Sequence, residues 1–305
     1  MGLLTYFTPM NILLVVCLIM IISMIFVVIW RCIFQCNGYY MTDIIFKSRN
    51  LILQRVKKGK SKTLIIFGND GNVSIDNANL IIKHDFNFSI PKKQIKHLLK
   101  EQSKKADYEI VCSYFPFECQ GIDNSARELA EYLNQNYSDY KIILLGHTKA
   151  AIQFAQALNY LSRSAMDVKL ILVSPAFGGV ISYEEAMSAL NCIEKMVYRI
   201  LFVPHRVDLD ITKGSNFLNE IANFSKISVY DTYLIRACVI YRPFNPINNY
   251  FFHLDNKLNI EGDGVVGFRE QRCPDTKWKM SFTVKTYNRN SIFMAIQLLG
   301  NHSIL

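Results

Sequence analysis

The order of apolar runs along the 305 residues predicts an α/β protein, a mostly parallel sheet with helices on both faces, preceded by one N-terminal transmembrane helix. Three observations predict it. Residues 12–30 are apolar except for Ser23, and the first charged side chain is Arg31. Beyond about residue 62, short apolar runs alternate with longer helical patterns. Half of all residues are hydrophobic (50%), enough to fill the core of one large domain. The chain therefore divides into a short N-terminal segment (1–11), the transmembrane helix (12–30), a basic juxtamembrane linker (31–62) and the α/β domain (63–305), which carries a cap at about 183–224.

As a helix, residues 12–30 span about 28 Å, close to the thickness of a bilayer core. A buried core helix rarely runs so long without a polar face. No basic segment precedes the stretch and no small-x-small site follows it, so a cleaved signal peptide fits poorly. Met1-Gly2 lacks the hydroxyl residue that myristoylation wants, since Tyr6 stands there. Arg31, Lys47, Arg49, Arg55, Lys57, Lys58, Lys60 and Lys62 all follow the span, and the positive-inside rule then puts the domain on the cytoplasmic side. Much of the net charge of +9 lies in this segment, where it favours anionic headgroups; without interleaved stacking aromatics it does not read as a nucleic-acid module.

The elements of the domain follow in order. Thr63 to Phe67 reads as a buried strand running into Gly68-Asn-Asp-Gly71, where glycines let the backbone bend tightly. Residues 74–106 are polar and basic and give no clear element. Tyr108 to Phe115 is the next strand. Residues 121–133 form an amphipathic helix, with Ile122, Ala126, Leu129, Ala130 and Leu133 on one face and Asp123 or Asn124 as its cap. A strand from Lys141 to Gly146 turns sharply into a helix from Lys149 to about Leu161, with Thr148 at the apex, and Leu170 to Pro175 is a further strand. Residues 183–224 read as helical.

The eight cysteines show no paired CxxC spacing, so no metal is expected, and no cofactor motif is present. Cys112 and Cys119 would pair only in an exported domain. His147 reads as a packed, hydrogen-bonded residue, and Asp208, Asp210 and Ser215 as braces of the cap.

In open α/β sheets chemistry collects at the carboxyl ends of the strands. Three such ends carry candidates in the order hydroxyl, acid, imidazole: Thr148, Asp263 in Gly262-Asp-Gly-Val-Val266, and His302. With these residues the chain resembles the lipase and esterase branch of the α/β hydrolases, in particular bacterial and lecithin-acyltransferase-like lipases, over about residues 63–305. Gly146-His-Thr-Lys-Ala150 is similar to a Gly-His-Ser-x-Gly nucleophile elbow, Val173-Ser-Pro-Ala176 to the strand that follows, Asp210-Ile-Thr-Lys-Gly-Ser-Asn-Phe-Leu218 to the Asp-Leu-x-x-Gly-Ser-x-Phe-Leu segment, Gly262–Val266 to the acid loop and His302 to the terminal histidine.

The resemblance implies an α/β-hydrolase fold and a mechanism. His302 would take the hydroxyl proton of Thr148, Asp263 would orient the imidazole, and the backbone N–H groups of Lys149 and Asn69 would hold the oxyanion. It implies an ester or acyl substrate, near the membrane given the anchor. The elbow departs from the pattern twice. Thr replaces Ser where φ is usually positive, which disfavours a β-branched residue, and Ala150 adds a methyl where helix and strand approach closely. Two readings stand: a membrane-anchored lipase-like hydrolase with a Thr-Asp-His variant triad, and a catalytically inactive α/β-hydrolase-like binding or scaffold protein at the membrane.

Overall fold

The computed structural model describes residues 43–74, 81–84, 107–162, 167–192, 206–242, 246–263, 265–273, 276–286 and 288–302, with isolated positions at 18, 39, 40, 97, 101, 194, 195 and 198. The apolar stretch 12–30, apart from Leu18, and most of 74–106 lie outside the described residues. Among the described residues no helix is long and apolar enough to cross a membrane.

Among the described residues ten strands make one sheet: β1 Tyr39–Tyr40, β2 Ile44–Lys47, β3 Ile52–Lys57, β4 Thr63–Ser74, β5 Ile81–His84, β6 Glu109–Pro116, β7 Lys141–His147, β8 Val168–Val173, β9 Asp231–Cys238 and β10 Met280–Lys285. Their order is β10-β9-β8-β7-β4-β6-β3-β2, with β5 pairing both β4 and β1. From β10 to β6 every neighbour is parallel. The central strands carry apolar runs, Leu64–Phe67 in β4, Ile142–Leu145 in β7 and Leu170–Val173 in β8, and β6 is buried along its whole length, because both faces are covered. One face packs α1 (Ile122–Asn136) and α2 (Lys149–Ala157) against Leu64, Ile66, Leu144, Leu170 and Leu172. The other packs α6 (Asn288–Asn301) against Ile65, Ile143, Ile171 and Ile235. A smaller apolar cluster joins α3 (Tyr183–Ala189) to α5 (Pro246–Leu258) through Ala186, Leu190 and Leu254.

Part of the expected linker is sheet. β2 and β3 lie within residues 31–62 and pair antiparallel with each other, and β3 then pairs antiparallel with β6. Ile52 and Leu53 are buried while Arg55 and Lys57 reach Glu109 and Asp107, so the basic residues serve as the polar edge of a strand.

The cap of α1 also differs from expectation. Its N-cap is Gly121, and the Ile122 N–H donates to the carboxylate of Asp210, at 2.7 Å and 88 residues away. Asp123 instead accepts from the Gln156 amide (2.6 Å) and from the Tyr160 hydroxyl, tying α1 to α2. Cys119, Cys192 and Cys238 are free thiols, and burial pushes the Cys119 thiol up to about 11.

Candidate active site

β7 ends at His147 and α2 begins at Lys149, so one residue, Thr148, makes the whole turn. Its backbone sits at φ 47° and ψ −108°, outside the regions a β-branched residue ordinarily occupies. Such strain costs on the order of 1–3 kcal/mol and persists only where the surroundings over-determine it. Here the Thr148 N–H donates to Val173 O at 3.0 Å, and a Cβ on Gly146 would lie 2.6 Å from Ala151 Cα, so strand and helix are pressed together on both sides of the apex. Ala150 fits this turn despite its methyl: the methyl faces Gly68 on β4, where a Cβ would come within 2.7 Å of it. The glycine across the sheet supplies the room.

Around the apex lies a buried chain of hydroxyls and one imidazole. Thr148 Oγ1 is 3.4 Å from His147 Nδ1, His147 Nε2 is 3.2 Å from Ser291 Oγ, and the Ser174 hydroxyl donates to Ser291 Oγ at 3.3 Å. His147, Ser174 and Ser291 are fully buried and Thr148 nearly so. Ser174 follows β8 as Thr148 follows β7, and it too has a positive φ, 46°. The sequence names Ser174 only within the Val173–Ala176 segment and Ser291 not at all, because a serine after a strand and a serine in a helix carry no local signal of meeting.

Lys149 places its backbone N–H at the first position of α2, as the elbow requires. Its side chain turns inward, to Asp208 at 2.7 Å and over the Phe115 ring at 5.7 Å. Asp208 belongs to α4 (Arg206–Asp210), so this pair, buried on the lysine side, fastens the residue after the apex to the segment that also caps α1. In that segment Ser215 donates to Asp210 O and accepts from the Leu218 N–H, and Phe217 is buried. These residues of the lipase-like Asp210–Leu218 motif brace the fold, as the sequence suggested. Asn69 follows Gly68, which pairs with Gly146 of β7, and it lies in the stretch where the β4–β6 ladder shifts register. Its backbone thus lies beside the elbow.

Asp263 lies beyond the carboxyl end of β9, because the Val239 N–H donates to Gly262 O at 2.6 Å. The residue is fully buried, and its Oδ1 accepts from the N–H groups of Val265 and Val266 at 2.9 and 2.7 Å. After burial itself, Asp255 and Asp263 help push the Cys238 thiol up.

The structure does not bring His302 to the elbow. Its exposed ring packs on Phe282, with centroids 5.2 Å apart. Phe282 pairs in register with Ile235, Ile235 with Val173, and Val173 with His147. Phe282 is thus three strands from His147, about 14 Å at normal strand spacing. Ser291, in the first turn of α6, reaches His147, and His302 is about 16 Å further along the axis. The carboxyl end of β10 leads into Thr286-Tyr-Asn-Arg-Asn-Ser291, which contains no histidine.

No protein-family model and no curated protein sequence matches the chain. Among solved structures, the mature form of the Bacillus licheniformis lipase BlEst2 aligns with a TM-score of 0.54 and 15% identity, over 84% of this chain and 99% of that one. Its propeptide form gives 0.54 and 16%, over 84% of this chain and 54% of that one. Likeness at this identity speaks for the fold and leaves the chemistry to the residues. With its parallel sheet, its strand–turn–helix turn at Thr148 and a solved lipase aligned over most of its length, the chain has the α/β-hydrolase fold.

Proposed function

We propose that this is a membrane-anchored α/β-hydrolase-fold protein that binds an ester or acyl ligand at the Thr148 elbow without turning it over through a Thr148–Asp263–His302 relay. The position of His302 carries the reading. A general base must come within about 2.6–3.2 Å of the proton it takes, directly or through one water. An imidazole stacked on Phe282, three strands from His147, does not meet that need in this arrangement. His147 lies beside the hydroxyl, but its 3.4 Å contact is long for a hydrogen bond and its other nitrogen is engaged by Ser291. A ligand carbonyl would rest on the backbone N–H groups of Lys149 and Asn69. The acyl character of the ligand rests on the likeness to a lipase. The anchor rests on the apolar residues 12–30, and the cytoplasmic side on the basic residues that follow.

The strained backbone of Thr148 favours a second reading, ester hydrolysis, since strain of this kind collects at working sites. Two measurements on the full-length protein in a non-ionic detergent separate them. Binding of a fluorescent fatty-acyl probe that Thr148→Trp blocks, with no p-nitrophenol released from a short p-nitrophenyl ester, supports the first. Turnover that Thr148→Ala abolishes supports the second. Absence of both binding and turnover leaves neither standing.

A further inference from the structure

Among the described residues, Arg236 is a cation with no counter-charge beside it. It lies on β9 between Ile235 and Ala237, which pack against α6, so strand alternation sends its side chain to the opposite face. There the guanidinium stacks on the Phe268 ring, 4.2 Å from its centroid. Its Nε is shut off from solvent and has no hydrogen-bond partner among the described residues.

The turn facing it is held in place. The buried Gln271 amide accepts from the Ala237 N–H at 2.7 Å and donates to Ala237 O at 2.9 Å and to Val266 O at 3.0 Å, which clamps the turn to the residue after Arg236. The same turn carries Arg272, exposed to solvent. Its acid, Glu270, pairs instead with Lys213 at 3.9 Å. Burial, and then the neighbouring charge of Arg272, hold the Arg236 guanidinium below its ordinary value, and no carboxylate among the described residues offsets them. A partly desolvated cation beside a like charge destabilises the folded state unless an anion joins it.

We propose that Arg236 and Arg272, backed by Phe268, form a binding site for a phosphate group. A guanidinium stacked on an aromatic ring keeps its N–H edge for the bidentate contacts that phosphate oxygens accept. Because Arg236 is only partly buried, an anion in solution reaches the outer end of the group. The site is independent of chemistry at Thr148, and the phosphate is either a free anion or the headgroup of a lipid phosphomonoester.

The test uses full-length protein in a non-ionic detergent at low ionic strength, titrated with inorganic phosphate and separately with dihexanoyl phosphatidic acid, and read by phosphorus NMR line broadening. Binding should weaken at least about tenfold in Arg236→Gln and less in Arg236→Lys, which keeps the charge but not the fork. Tighter binding of the lipid assigns the site to a headgroup, equal binding to a free anion, and both uphold it. Failure of the wild type to bind either probe, or equal binding by Arg236→Gln, overturns it. Thermal melts guard against misfolding: Arg236→Met should melt at or above the wild-type temperature without phosphate and lose any phosphate-dependent rise. A lower melting temperature for Arg236→Met, with no response of the wild type to phosphate, means that the residue is structural.

Discussion

The methyl of Ala150 points at Gly68, and the two positions together decide how closely α2 approaches β4: a side chain on both would bring carbon atoms to 2.7 Å. The pairing explains how an elbow with alanine in place of its last glycine still closes. Gly68→Ala should destabilise the protein by about 1–3 kcal/mol, the usual cost of overpacking. Adding Ala150→Gly should recover part of that loss, since a Cβ at position 68 also meets Phe154. Denaturant titrations of the two single variants and the double variant measure the coupling. Strictly additive effects would mean that the two residues do not share the space.

Backbone strain at Thr148 gives a second prediction. Thr148→Ala keeps a Cβ at φ 47° and Thr148→Gly removes it. The glycine variant should be the more stable of the two by about 1 kcal/mol or more, although glycine in an unstrained position is destabilising relative to alanine. The comparison is a difference in denaturation midpoint at constant slope.

Lys149 and Asp208 form the third test, as their pair is buried on the lysine side (side-chain exposure 4%). Asp208→Ala should cost about 1–3 kcal/mol because it removes one partner of an ammonium held in a dry setting. Combining it with Lys149→Met should return much of that stability, and a double variant as unstable as the sum of the singles would contradict the pairing.

Acid stability reports on the tie between α1 and α2. Asp123 is partly buried, which would raise its value, but hydrogen bonds from Tyr160, Gln156 and Arg127 outweigh burial and hold it below the ordinary 3.8. A carboxylate lowered on folding stabilises above its unfolded value and loses that contribution as pH falls through the folded one. Wild-type stability should therefore drop below about pH 4, and Asp123→Asn should flatten that part of the curve. An unchanged acid limb in the variant would remove Asp123 from the account.

The parallel sheet and the elbow were legible because their signals are local. Lys141–Gly146 is an apolar run that ends in glycine, and β6, α1 and β8 carry unbroken apolar runs or helical faces. β2 and β3 were hidden by their lysines and arginines, which read as a linker until Glu109 and Asp107 were placed opposite them. Capping of α1 by Asp210, like the meeting of His147, Ser174 and Ser291, depends on contacts across many residues and leaves no trace at either partner. The candidate site rested in the sequence on chain order alone. Order put His302 after an acid and a hydroxyl, but it could not say which end of α6 faces the elbow; the first turn does, and it presents Ser291.

Ester hydrolysis by the wild type and by His302→Ala tests the central claim most directly. With a short p-nitrophenyl ester and full-length protein, the geometry at Phe282 predicts the same rate for both, with no turnover above the buffer blank. Turnover by the wild type that His302→Ala abolishes would contradict it, and would place that imidazole at the Thr148 hydroxyl.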